Sequence, residues 1–176
     1  MQKSVRKMTA SAICVALMCI SSFISLPFGH ISLSLQLFAV YFALYYLGTL
    51  YGSLSVVAYL SLGAVGIPVF SSFGGGISSF VGPSGGFLFG FLVLAFVYSL
   101  TLFFLRNRKG GQIIATVLSL IALYFCGSLY YSVVYLGGLN AIGPSLLATV
   151  VPFILPDVCK ILLAHFISKR LALSKK

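Results

Sequence analysis

From Phe87 to Leu105 the chain runs through nineteen residues without a charged side chain, and other stretches match it in length and character. A helix needs roughly 20 apolar residues to cross the hydrocarbon core of a bilayer. Of the 176 residues, 60% are apolar and 7% charged, where a soluble domain carries about a quarter charged residues. A water-soluble fold is therefore excluded. The apolar runs predict helices at about 8–26, 31–50, 54–70, 87–105, 112–136 and 146–168. The alternation that a membrane β-barrel requires is missing from them, and helices are the other way to satisfy a backbone in lipid. The expectation is an all-α membrane protein of six transmembrane helices, with residues 1–176 forming one integral membrane domain. The first run is read as a retained helix rather than a cleavable leader, because five more follow it.

The charges fix an orientation. Eleven bases face a single acid, for a net charge of +10. Ten of the eleven fall in three clusters: Lys3, Arg6 and Lys7; Arg106, Arg108 and Lys109; Lys169, Arg170, Lys175 and Lys176. Lys and Arg flanking short loops stay on the cytoplasmic side. Six spans put all three clusters there, with both termini cytoplasmic, whereas an odd number would divide them. Segments 27–30, 71–86 and 137–145 go to the other side and contain no Lys, Arg, Asp or Glu. The basic balance thus reports topology against an anionic membrane face and calls for no nucleic-acid partner.

Enzymatic chemistry finds few supports. There is no GxxxxGK[ST] phosphate loop, no HExxH or GxSxG motif, and one carboxylate cannot share acid and base work with a second. Cys14, Cys19, Cys126 and Cys159 all fall within expected spans without metal-ligand spacing, and read as small buried hydrophobes. No metal or cofactor is expected. His30 and His165 read as interfacial residues, with His30 placed to reach a ligand from outside. A carrier, a channel or a binding subunit is left.

Two segments carry most of the functional signal. In 63–86, glycines 74, 75, 76, 82, 85 and 86 with Pro83 preclude a helix and permit tight turns. A solvated linker would be polar, yet this one keeps Val69, Phe70, Phe73, Ile77, Phe80 and Val81, which favours a loop folded over a ligand. In Pro152-Phe-Ile-Leu-Pro-Asp-Val-Cys-Lys160, Asp157 and Lys160 stand three apart on one helix face. An unpaired charge at that depth costs about 2.5–3.5 kcal/mol or more, so the two are expected to pair, either as a structural lock or as a functional site. Pro152 and Pro156 are expected to kink the helix or free carbonyls there. Gln36 and Asn140 are the other polar candidates. Tyr41, Tyr45, Tyr46, Tyr51, Tyr130, Tyr131 and Tyr135 read individually as anchors or packing. Ala12 and Ala16 form a small-xxx-small pair for close helix approach, and Gly48–Gly52 and Gly86–Gly90 share the spacing.

In this order the motifs resemble the BioY biotin-uptake family, the substrate-binding S components of energy-coupling factor (ECF) transporters. The resemblance covers nearly the whole chain. Leu33-Ser-Leu-Gln36 is similar to a Pro-x-Thr-Leu-Gln entry to the second helix, and Gly66-Ile-Pro-Val-Phe70 with its trailing glycines follows. Gly82-Pro-Ser-Gly-Gly-Phe-Leu-Phe-Gly-Phe91 is similar to GPTGGYLxGF, and Pro152-Phe153 with Asp157 and Lys160 to PFLPGDxxK. Here Leu155 and Pro156 stand where the family has Pro and Gly.

The resemblance implies biotin capture from outside, with Asp157 accepting from the ureido N–H donors and Lys160 facing the carbonyl or the carboxylate. It further implies Gln36, Phe73, Gly74, Gly75, Gly82, Gly86 and Asn140 as biotin-binding residues. Ala12 and Ala16 would dock a membrane coupling subunit that works with two cytoplasmic ATPases, in a bacterial plasma membrane. A proton-coupled secondary carrier acting without ATPases, with Asp157 titrating, is the alternative.

Overall fold

The computed structural model describes residues 2–28, 31–105, 108 and 110–173. His30, Arg106, Lys109, Lys175 and Lys176 lie outside the described residues. The elements are α1 (Gln2–Phe23), β1 (Ser25–Phe28), β2 (Ile31–Ser34), α2 (Gln36–Leu47), α3 (Thr49–Ala64), α4 (Ile77–Val81), α5 (Gly85–Leu105), α6 (Gly111–Tyr135), α7 (Ile142–Thr149) and α8 (Ile154–Leu173). Four helical stretches are long and apolar enough to cross a membrane: Ser4–Phe23, Gly85–Leu105, Gly111–Tyr135 and Leu139–Leu171. Two further apolar helices, α2 and α3, are 12 and 16 residues long.

The two middle spans, α5 and α6, fall where the apolar runs put them, within two residues at each end. The others differ for identifiable reasons. α1 starts earlier than residue 8, because Lys and Arg end an apolar run without ending a helix. Residues 25–34, assigned to a helix end, a short loop and the next helix start, form an antiparallel hairpin with Ser25 opposite Ser34. Pro27 holds the residue before it in extended conformation, and Ile31-Ser-Leu-Ser34 alternates with the period of a strand. The third helix stops at Ala64 rather than 70: Gly66 turns at a φ of +108°, and Pro68 disfavours helix at Ile67. The last span is not one helix from 146 to 168. It breaks into α7 and α8 across a 3-10 turn at Val151–Phe153, where Pro152 cannot continue the α-helical ladder.

α2 sits at the centre, packed against α1, α3 and α8; Ala39, Val40, Tyr41 and Ala43 are wholly buried. In lipid, helices gain little from burying apolar surface against one another and rely on close packing and interhelical hydrogen bonds. Both devices appear. α5 and α6 form the most extensive pair, and their glycines set the distance. A Cβ on Gly86 would stand 2.3 Å from Tyr130 Cβ, and one on Gly127 would stand 2.4 Å from the Phe87 ring. Gly52 meets α2 in the same way, 2.8 Å from Leu44 Cα, but its expected partner Gly48 packs against nothing and instead supplies the turn, at a φ of +82°.

Hydroxyls make the second device. Ser11 pairs with Ser55 at 2.6 Å between α1 and α3, and Ser53 with Ser99 at 3.1 Å between α3 and α5. Tyr41 donates to the Thr116 carbonyl at 3.0 Å, and Tyr45 pairs with the Thr116 hydroxyl at 2.8 Å, tying α2 to α6. Such contacts average about 0.6 kcal/mol each. Tyr41, together with Tyr59 and Tyr98, is therefore an interior polar residue and not an interfacial anchor. Cys159, expected to be buried, faces outward on α8, while Cys14 is buried.

Because the α5–α6 distance is set by Gly86, Gly86→Leu is expected to cost about 1–3 kcal/mol through overpacking. Thermal unfolding of the detergent-solubilised chain measures the loss.

Candidate functional site

The hairpin and the segments 65–84 and 136–153 gather at one end of the bundle, around a cavity of about 260 Å³. Three helices supply its walls. α8 brings Asp157 and Lys160, with Phe153 just before it, at a spacing that keeps all three on one face. The start of α5 brings Phe87, Leu88 and Phe91, and the start of α2 brings Gln36 and Leu37. Phe70, Ser71, Ser79, Gly82, Pro83 and Ser84 come from the glycine-rich segment. The lining is mostly apolar with a few placed polar groups, as small-molecule sites are.

Asp157 and Lys160 are both buried. Lys160 Nζ donates to Asp157 Oδ1 at 2.8 Å. Tyr124 Oη, from the middle of α6, donates to the other carboxylate oxygen, also at 2.8 Å. Asp157 stands in the first turn of α8, where the helix dipole favours an anion. Pro156 occupies the same turn, a position that tolerates a residue with no N–H donor. The break at residues 150–153 thus has a use: it starts a helix inside the bundle and points its N-terminal turn at the carboxylate. Thr149, at the end of α7, joins the cavity wall and is paired with Ser128 of α6 at 2.9 Å.

Gln36 organises the opposite wall. Its Oε1 accepts from Ser34 at 2.8 Å and from Ser71 at 3.0 Å, and its Nε2 donates to Tyr59 Oη. Tyr59 in turn donates to the Val69 carbonyl at 2.9 Å, which also accepts from Ser22 at 2.6 Å. One amide therefore joins β2, α2, α3 and the glycine-rich segment.

That segment is folded, as its apolar content implied. Gly76 N–H donates to the Gly63 carbonyl at 2.7 Å, and Phe70 packs edge-on against Tyr59 and Phe80. Ser72 and Phe73 both take a positive φ, a costly state for residues other than glycine. Tyr130 Oη on α6 donates to the Phe80 carbonyl at 3.0 Å.

Of the residues that the resemblance implied for biotin, Gln36, Gly82, Asp157 and Lys160 line the cavity, joined by Phe70 and Pro83 of the glycine-rich segment. Phe73 does not; it is exposed and stacks on Phe23 at 4.7 Å. Gly74 closes the turn back to Phe70, Gly75 lies against the Ile67 carbonyl, and Gly86 faces Tyr130 rather than the cavity. Asn140 is exposed in a 3-10 turn away from the cavity wall. Ala12 and Ala16 both face outward on α1. Tyr124, Tyr59, Thr149 and the serines at 34, 71, 79 and 84 were not singled out. Tyr124 stands 33 residues before its partner in no recognisable motif, so only the folded arrangement, in which its hydroxyl reaches Asp157, reveals it.

The BioY family model matches residues 1–175. A biotin transporter BioY of Thermotoga maritima is 35% identical over 173 residues, covering 94% of this chain and 95% of that one. A probable biotin transporter BioY of Pyrococcus horikoshii is 32% identical, with coverages of 94% and 96%. The fold superimposes on the crystal structure of the S-component for biotin from an ECF-type ABC transporter with a TM-score of 0.86, at 31% identity, over 97% of this chain and 93% of that one.

The ion pair itself makes a prediction that needs no ligand. Lys160→Met leaves the Asp157 carboxylate buried without its cation and is expected to cost about 3–5 kcal/mol, whereas Asp157→Leu combined with Lys160→Met is expected to stay near wild-type stability. Thermal unfolding of both variants in detergent provides the comparison.

Proposed function

The chain belongs to the BioY family, a family of transporters and not of enzymes, and from that premise we propose that it captures biotin from outside the cell and delivers it to the cytoplasm. The observation that carries the reading is the buried Asp157–Lys160 pair at the wall of an aromatic cavity. Biotin offers two ureido N–H donors, a ureido carbonyl, an apolar thioether ring and a carboxylate. Asp157 accepts from the N–H donors, and Lys160 meets the carbonyl or the carboxylate. Phe70, Phe87, Phe91 and Phe153 pack on the ring system, and Gln36 and Gly82 complete the wall. Gly74, Gly75 and Gly86 serve the site through the backbone they allow, with Phe73 and Asn140 at its outer margin.

In the membrane the four long helical stretches together with α2 and α3 make six spans, with both termini and the Arg108 region cytoplasmic. The cavity then opens outward. Energy enters through partners: an ECF coupling subunit docks on the small-residue face of α1 at Ala12 and Ala16, bringing two cytoplasmic ATPases. The outward exposure of both alanines supports this assignment.

Calorimetry on the purified chain is expected to give a one-to-one biotin complex, weakened about ten- to a hundredfold by Asp157→Asn, the worth of a charge-assisted hydrogen bond. No biotin binding, or wild-type affinity in the variant, contradicts the reading. Ala12→Leu and Ala16→Leu are expected to retain biotin binding but lose uptake in cells that express the coupling subunit and ATPases. Undiminished uptake in those cells removes the docking assignment, and uptake that collapses with an uncoupler at constant ATP identifies a proton-coupled carrier.

A further inference from the structure

Tyr124 touches the site from behind. The cavity wall includes Asp157 and Lys160 but not Tyr124, whose hydroxyl reaches Asp157 Oδ2 at 2.8 Å from α6. Lys160, on the same helix as Asp157, reaches Oδ1 at 2.8 Å.

The two partners constrain the carboxylate differently. A lysine ammonium carries three donors on a flexible four-carbon stem, and it can follow a carboxylate that turns about its Cβ–Cγ bond or bridge both of its oxygens. A tyrosine hydroxyl sits at the end of a rigid ring with two side-chain torsions, so it is only as mobile as the backbone that carries it. That backbone is pinned on either side of Tyr124. Leu123 lies against Gly90 of α5, where an added Cβ would stand 2.7 Å from Leu123 Cδ1, and Gly127 lies against the Phe87 ring, which an added Cβ would approach to 2.4 Å. The position of Oδ2 is therefore referred to α5 and α6 and not to α8 alone.

An ionised carboxylate offers about four lone-pair sites, two on each oxygen. With one taken by Lys160 and one by Tyr124, each oxygen keeps one acceptor, and both belong to a group on the cavity wall. Without the phenolic hydroxyl, Oδ2 becomes a buried acceptor lacking this donor, a costly state. The ammonium already in contact with Oδ1 can relieve it by closing over both oxygens. That closure consumes the acceptor and the cation that a ligand would meet.

We propose that Tyr124 is a positioning residue, whose hydroxyl holds the Asp157 carboxylate open to the cavity and keeps Lys160 from closing over both of its oxygens. The role rests on biotin binding at Asp157, as proposed above.

The test uses Tyr124→Phe, which removes one oxygen and keeps the ring, with Tyr45→Phe as its comparison. Tyr45 pairs with the Thr116 hydroxyl at 2.8 Å, an interhelical contact outside the cavity lining. Asp157 is the only acidic side chain of the 176 residues. The infrared carboxylate stretch of the ligand-free chain, in a detergent without carboxylates and taken as the difference from Asp157→Asn, therefore reports that one group. Tyr124→Phe is expected to shift this band and to weaken biotin binding about tenfold by calorimetry, the worth of one hydrogen bond, whereas Tyr45→Phe is expected to change neither. An unshifted band in Tyr124→Phe overturns the proposal. So does a shifted band with wild-type affinity, which leaves biotin as the ligand, and so does an equal loss of affinity in Tyr45→Phe, which makes the effect a general loosening of the bundle. A wild-type chain that binds no biotin overturns the functional reading, and the positioning role with it.

Discussion

An ammonium and a carboxylate in contact cancel as charges but not as polar groups, and the arrangement around Asp157 and Lys160 answers that fact. The carboxylate has two oxygens, and Lys160 satisfies one. The other needs a donor from a different helix, which Tyr124 supplies. The anion also benefits from a helix N-terminus, and α8 begins three residues before it. A continuous last helix would have buried the same carboxylate against the helix flank, without that help. The break at Pro152, the start of α8 and the reach of the Tyr124 hydroxyl from α6 therefore belong to one solution.

The bundle closes around this pair with small residues. Glycines on α5 and α6 bring those helices close enough for Phe87 to pack against Gly127, and hydroxyl pairs fix α1, α3 and α5 in register. Where the chain must close the top of the cavity, the glycine-rich segment folds back on α3. Gln36 is placed so that a single amide ties this segment to the hairpin, α2 and α3. Stability and site are thus built from the same contacts at the loop-rich end.

The positions of the helices were readable because charge and apolar length are local properties. α5 and α6 followed directly from them, and the Asp157–Lys160 pair followed from spacing on one helix face. What escaped depends on features that hydropathy does not encode. The 25–34 hairpin is as apolar as the helices beside it, and only Pro27 and the serine alternation hint at its extended backbone. Gly48 and Gly52 share a spacing with Gly86 and Gly90, yet one of the four makes a turn while the others make contacts. Phe73, Gly74, Gly75 and Asn140 lie beside the candidate site in sequence and topology but not on its wall. Tyr124 is on that wall's supporting structure for reasons that exist only in three dimensions.

The brevity of α2 carries one more consequence. Twelve residues of helix rise about 18 Å, against a hydrocarbon thickness of about 30 Å. None of the residues of α2 is exposed, because α1, α3 and α8 enclose it. Its shortness is therefore absorbed inside the protein, at the turn of Gly48, and the longer helices around it are the ones whose length has to match a bilayer.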